Sequence, residues 1–137
     1  MIEVKDLRKS FDGVEVLKGI TTTFETGKVN LVIGQSGSGK TVFLKSLLNV
    51  FEPTSGHILF DGRDIVGMSR QEKEALRAEI GTVFQGSALF DSMTVQDNIM
   101  FPLDMFTNLT FTEKKKRVKE VIGRVHLENA EKKFPSE

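Results

Sequence analysis

Gly34-Gln35-Ser36-Gly37-Ser38-Gly39-Lys40-Thr41 is the stretch on which the fold turns. It satisfies the spacing G-x-x-x-x-G-K-[ST] in full, and the pattern needs those residue types for physical reasons. Glycines let several backbone N–H groups converge on one anion without steric clash, and a helix opening at Gly39-Lys40 points its positive dipole end at phosphate. Lys40 supplies a compact charge for the β- and γ-phosphates of a nucleotide, and the Thr41 hydroxyl is a ligand for Mg²⁺. With glycine at about 7% of residues, a chance match in such a chain has odds of roughly one in a hundred or less. The bland alternative is a flexible Gly/Ser linker, and the flanks argue against it. Val29 to Ile33 is a nearly continuous apolar run, as expected of a strand buried on both faces. Val42, Phe43, Leu44, Leu47, Leu48 and Phe51 then recur at helical spacing, with Pro53 just past the end.

Upstream of the loop the chain reads as strands and turns. Ile2, Val4 and Leu7 begin a half-buried strand, Asp12-Gly13 is a turn signal, and Val14, Val16, Ile20 and Thr21 to Phe24 continue beyond it. Downstream, Gly56 to Phe60 followed by Asp61-Gly62 is one more strand and turn. Ser69 with Glu72 is a capping box opening a polar helix to about Glu79, and Ile80 to Phe84 is a further short strand. Thr94 to Met105 has helical spacing broken near Pro102. Thr110 with Glu113 is a second capping box, ahead of a helix with Val118, Val121, Ile122 and Val125 on one stripe.

The 137 residues carry 19 Lys+Arg against 19 Asp+Glu, which argues against nucleic-acid binding through a generally basic surface. There is no cysteine, hence no disulfide framework, thiolate nucleophile or Cys-based metal site. The longest apolar runs span only a few residues, too few for a transmembrane helix. The first 111 residues hold 11 basic and 14 acidic side chains and the remainder 8 and 5, a tilt that reads as a solvated helical face around Lys114 to Arg117 and Lys119.

A phosphate loop binds; hydrolysis also needs a carboxylate for Mg²⁺ and a group that activates water. Asp61 follows an apolar run but precedes Gly62 and reads as a turn residue. Asp91 sits in loop-like sequence, and neither has an adjacent glutamate base. His57 and His126 are isolated and read as surface or packing residues. The chain is expected to bind a nucleotide without holding the machinery to cleave it.

The loop, the prelude Ser10-Phe11-Asp12-Gly13-Val14-Glu15-Val16-Leu17-Lys18-Gly19 and Val83-Phe84-Gln85 together resemble the ATPase subunit of ABC transporters. That resemblance implies a P-loop α/β fold: a parallel core sheet, an antiparallel β-subdomain and the start of a helical subdomain. Residues 1–137 would form part of one nucleotide-binding domain, with 1–85 the β-subdomain and loop core and 86–137 the opening of the helical part. It implies that Phe11 stacks on adenine, where the family usually has Tyr, with Val16 close behind. Gly34, Gln35, Ser36, Gly37, Ser38, Gly39, Lys40 and Thr41 would hold the phosphates of ATP, Thr41 and Gln85 would reach Mg²⁺, and Gln85 would also reach the attacking water.

Gln85-Gly86-Ser87-Ala88-Leu89-Phe90-Asp91-Ser92-Met93-Thr94-Val95, with Asn98 and Phe101-Pro102-Leu103, is similar more particularly to the ATPase of Mce-type lipid transporters, the systems of lipid asymmetry and toluene tolerance. This implies a cytoplasmic subunit, peripheral on the inner face of a bacterial inner membrane, that drives phospholipid movement through a permease. Leu89, Phe90 and Met93 would be contacts for that permease, and a second ATPase subunit would complete a homodimer. The family's Leu-Ser-Gly-Gly-Gln signature, its strand ending in Asp-Glu, its Asp loop and its switch histidine are not found. Phe134-Pro135-Ser136-Glu137 is similar to the residues just before the signature, so the expectation is an N-terminal fragment whose apolar strand edges face a gap. A small P-loop kinase would need clustered lid arginines, and Arg63, Arg70 and Arg77 are the ones in mid-chain. A soluble ABC-type ATPase without a membrane partner is the remaining alternative.

Overall fold

A computed structural model of the chain describes residues 1–84, 86 and 88–137. It forms two compact units, Met1–Gly81 and Thr82–Glu137. In the first, β1 (Ile2–Phe11) and β2 (Val14–Phe24) make an antiparallel hairpin. Asp12 and Gly13 both take positive φ, 48° and 80°, the two-residue turn that matches strand twist. α1 (Lys40–Leu47) follows the glycine loop, then β3 (Ser55–Phe60) and β4 (Arg63–Asp64), giving a four-stranded sheet in the order β2-β1-β3-β4. A 3-10 turn (Ile65–Gly67) and α2 (Arg70–Ala78) end the unit, and the Ser69–Glu72 capping box is present with both of its bonds.

The core of this unit joins Val4, Leu7, Leu17, Ile58, Phe60, Ile65 and Leu76 to Phe43 and Leu47 of α1. Val4 and Leu7 are three apart, so a regular strand would send them to opposite faces. Both are buried because β1 bulges at Asp6, where φ is 46° and the ladders with β2 and β3 both shift register. The bulge presses on β3 at Gly56, whose φ is 93°. A Cβ there would lie 2.3 Å from the Asp6 carbonyl oxygen, so no other residue fits.

The two expected parallel strands are not formed. Among the described residues, neither 29–33 nor 80–84 joins any strand ladder. Val29, Leu31 and Ile33 are largely exposed, at 102%, 83% and 79%, and Val83 is fully exposed as well, while Val32 and Ile80 lean on the core. A strand is a property of a pair. The apolar composition of these segments expresses a preference for pairing, and the described part of the chain offers no strand to meet it.

The second unit packs α3 (Val95–Phe106) on α4 (Phe111–Arg124) through Met100, Val118 and Ile122, with Val95 and Ile99 alongside. Capping boxes open both helices, Thr94 with Asp97 and Thr110 with Glu113. Two details depart from expectation. α3 runs through Pro102 without ending, and Val125 falls at the C-cap of α4, exposed rather than on the buried stripe.

An extended apolar segment with no ladder partner is a template for pairing with another chain. Sedimentation velocity should therefore show concentration-dependent self-association, reduced by Val29→Lys with Leu31→Lys, both at exposed positions. A monomer that unfolds cooperatively at all concentrations would contradict this. The carboxylates yield a pH prediction. A hydrogen bond from Arg63 lowers the pKa of Glu79, bonds to Ser69 and Thr110 lower Glu72 and Glu113, and the N-terminal amine lowers Asp61. A depressed folded-state pKa contributes stability above the ordinary values of 3.8 and 4.5 for Asp and Glu, and that contribution is lost as pH falls through the lowered values. Thermal melts should show midpoints dropping in that acid range. Because the groups are exposed, the drop should shrink at high salt.

Candidate functional site

Residues 34–39 form a loop between the extended 29–33 segment and α1. Gly39 is the N-cap of α1, left-handed at φ 93°, and it accepts the first helical bond from the Phe43 N–H at 2.8 Å. Among the described residues no side chain caps this end, so the first-turn N–H groups of Lys40 and Thr41 have no capping partner from a side chain. A Cβ on Gly39 would sit 3.3 Å from both Val16 Cγ1 and Leu17 Cδ2, so the glycine is what lets the loop lie against β2.

The Lys40 ammonium folds back and donates to the carbonyl oxygens of Gly34 and Gln35, 2.7 Å each. Among the described residues no carboxylate pairs with it, so its charge is held by the loop's own carbonyls alone. A cleft of 580 Å³ opens between the loop, at Gly37 and Ser38, and the face of β2 from Val14 to Lys18 with Ile20, a size suited to a small ligand. A second cavity of 390 Å³ is lined by Ser38, Gly39 and Lys40 of the loop together with Leu31, Val32, Ile33 and Phe43, so the loop borders both openings, and Lys40 lines this one rather than the cleft along β2.

The structure brings Val16 to the loop and does not bring Phe11. The Phe11 ring packs edge-on against Phe51, centroids 5.3 Å apart, with the Lys9 ammonium 4.9 Å over its face. It lines neither cleft. Gln85 lies outside the described residues. Leu89 and Phe90 are exposed and Met93 is half-buried. Their loop is organised by a residue whose role the sequence did not disclose. The Asn98 side chain accepts from the Phe90 N–H at 2.8 Å and donates to the carbonyls of Phe90, Met93 and Thr94, so the first turn of α3 fixes the path of the preceding loop.

The remaining candidates take structural roles. Asp61 and Gly62, φ 46° and 78°, form the β3–β4 turn, and the Asp61 carboxylate holds the amine of Met1. His57 is not isolated: its Nδ1 lies 2.6 Å from Asp64 on the neighbouring strand. The mid-chain arginines are not a lid. Arg63 is bidentate to Glu79, Arg70 bonds Glu74, and Arg77 bonds the Lys73 carbonyl. Among the described residues no cluster of three or more metal-ligating side chains exists, and no helix is long and apolar enough to cross a membrane.

Comparison with known proteins bears on this geometry. The family model of the ABC transporter matches residues 17–137. The probable ribonucleotide transport ATP-binding protein mkl of Mycobacterium tuberculosis is 42% identical over 136 residues, 99% of this chain and 38% of that protein. The methionine import ATP-binding protein MetN of Corynebacterium diphtheriae is 39% identical over 140 residues, covering 99% of this chain and 41% of the relative. The chain thus spans about two fifths of the curated relatives it matches. Among solved structures, a dimeric post-hydrolysis state of the ATP-binding cassette MJ0796, bound to ADP and Pi, superposes with a TM-score of 0.84 at 25% identity, over 99% of this chain and 62% of that one.

The Gly39 contact generates a prediction. Gly39→Ala puts a Cβ into a left-handed position already crowded by Val16 and Leu17, and should cost about 1–2 kcal/mol in urea unfolding. An unchanged midpoint would mean that the loop does not depend on this approach to β2.

Proposed function

The chain belongs to the ABC transporter ATP-binding family, and we propose that it is the ATP-gripping part of a subunit that couples ATP binding and hydrolysis to membrane transport, with phospholipid as the transported class. The observation that carries the binding half is the loop itself: among the described residues, N–H groups without a side-chain cap at the start of α1, an ammonium with no carboxylate partner, and an open cleft along β2. Gly34 to Lys40 would wrap the phosphates. Thr41, exposed in the first turn of α1, has the hard oxygen donor that suits Mg²⁺ shared with a nucleotide. The metal would neutralise phosphate charge there, while Lys40 orients the phosphate chain. Val16 would meet the nucleoside across the cleft, with Phe11 beyond it, and Gln85 would reach the metal and water.

Hydrolysis, in this reading, requires groups supplied by another part of the protein or by a second ATPase subunit, since among the described residues no carboxylate pairs with Lys40, and Glu15, which lines the cleft, is held by Arg8. The lipid assignment rests on the similarity of residues 85–103 to the Mce-type ATPases. The permease would meet Leu89, Phe90 and Met93 on the loop held by Asn98. Such a subunit works at the cytoplasmic face of the membrane. The engaged arginines disfavour a small kinase, which closes free arginines over its phosphates.

Titration of Mg-ATP into wild type and Lys40→Ala tests the binding claim. Loss of a charge-assisted contact should weaken affinity about ten- to a hundredfold. Equal affinities would move the nucleotide elsewhere.

A further inference from the structure

The tip of the α3–α4 pair is apolar where it faces water. Phe106, at the last position of α3, is 79% exposed and Phe111, at the first of α4, is 63% exposed. Met105 is exposed beside them, and only residues 107–110 separate the two helices. None of these side chains belongs to the Met100–Val118–Ile122 core.

A basic stripe runs from this tip along α4. Phe111, Lys115 and Lys119 are four apart and share one flank, with Lys116 adjacent. The Lys115 ammonium lies 4.6 Å over the Phe111 ring, which ties the apolar tip to the charged stripe. Neighbouring acids are already engaged. Asp104 takes Lys114, Glu120 takes Arg117, and Glu113 closes the capping box. Among the described residues Lys115, Lys116 and Lys119 make no ion pair, so the local surface stays positive. Read as sequence alone, this run is a solvated face. The structure adds aromatic and thioether side chains at its end, and rings that enter the interface beside lysines that meet phosphate are what an anionic bilayer surface selects.

We propose that the α3–α4 tip is a direct contact for the surface of an anionic lipid bilayer, with Phe106 and Phe111 entering the headgroup region and Lys115, Lys116 and Lys119 meeting lipid phosphates. The contact needs no permease and stands independently of the nucleotide site.

Flotation of the 137-residue chain with vesicles tests it, because bound protein rises with lipid while self-associated protein sinks. The chain should float with phosphatidylglycerol-containing vesicles and not with pure phosphatidylcholine. Release should follow when salt is raised from about 0.05 M to about 0.5 M. At about fivefold per lysine, K115Q/K116Q/K119Q should weaken binding on the order of a hundredfold. F106S/F111S should weaken it about tenfold. Both variants change exposed side chains and should keep the helical circular dichroism and Mg-ATP affinity of wild type. Failure here therefore leaves the nucleotide reading untouched. Equal flotation with neutral vesicles, undiminished binding of the triple lysine variant, or recovery of the tip only in complex with a permease helix would overturn the proposal.

Discussion

At Gly39 the backbone turns left-handed and comes to rest against Val16 and Leu17 of β2, with 3.3 Å left for a Cβ that only glycine omits. Much else hangs on that approach. It seats the start of α1 beside the β1–β2 hairpin and sends Phe43 and Leu47 into the core with Leu7 and Ile58, and among the described residues the helix start has no side-chain cap. Among the described residues no acid answers Lys40, which curls onto its own loop's carbonyls. If the loop binds nucleotide as proposed, a packing constraint and a binding surface are the same contact. In the proposed reading, the glycine that lets helix meet sheet also leaves room for an anion at the start of α1.

Local chemistry made much of this legible beforehand. The capping boxes at Ser69 and Thr110 are recognisable because a hydroxyl and a carboxylate three residues apart satisfy orphan N–H groups wherever a helix begins. Asp12-Gly13 forms the hairpin turn because positive φ at both positions selects those residue types. What escaped were features that depend on a partner distant in sequence. The bulge at Asp6 is invisible without β3, against whose Gly56 it presses. Asn98 looks like an ordinary polar residue of a helix until its loop is seen folded over it. The 29–33 and 80–84 segments read as strands, and composition cannot say whether a partner strand is there to complete them.

The candidate site divides along the same line. The glycine loop, Lys40 and Thr41 sit in one contiguous stretch, so their candidacy can be read from the sequence without any distant partner. Phe11 depends on the path of β1 beyond its bulge, and in this structure its ring rests on Phe51 instead of facing the cleft. Stacking on adenine requires the ring to leave that contact, an edge-to-face pair worth about 0.5–1.5 kcal/mol beyond its buried area, which bound nucleotide can offset. The second unit meets its surroundings through different chemistry. Its helices keep a small core at Met100, Val118 and Ile122, while rings and lysines remain exposed at the tip.

The central claim is that ATP is gripped by the backbone of residues 34–41 against β2. Amide chemical-shift mapping with isotopically labelled protein and Mg-ATP tests it most directly, because it reads the N–H groups themselves. The account predicts that the largest shifts fall on Gly37 to Thr41, with Val16 and Leu17 following and the amides of α4 unmoved. Shifts confined to other residues, or none at saturating nucleotide, would contradict it.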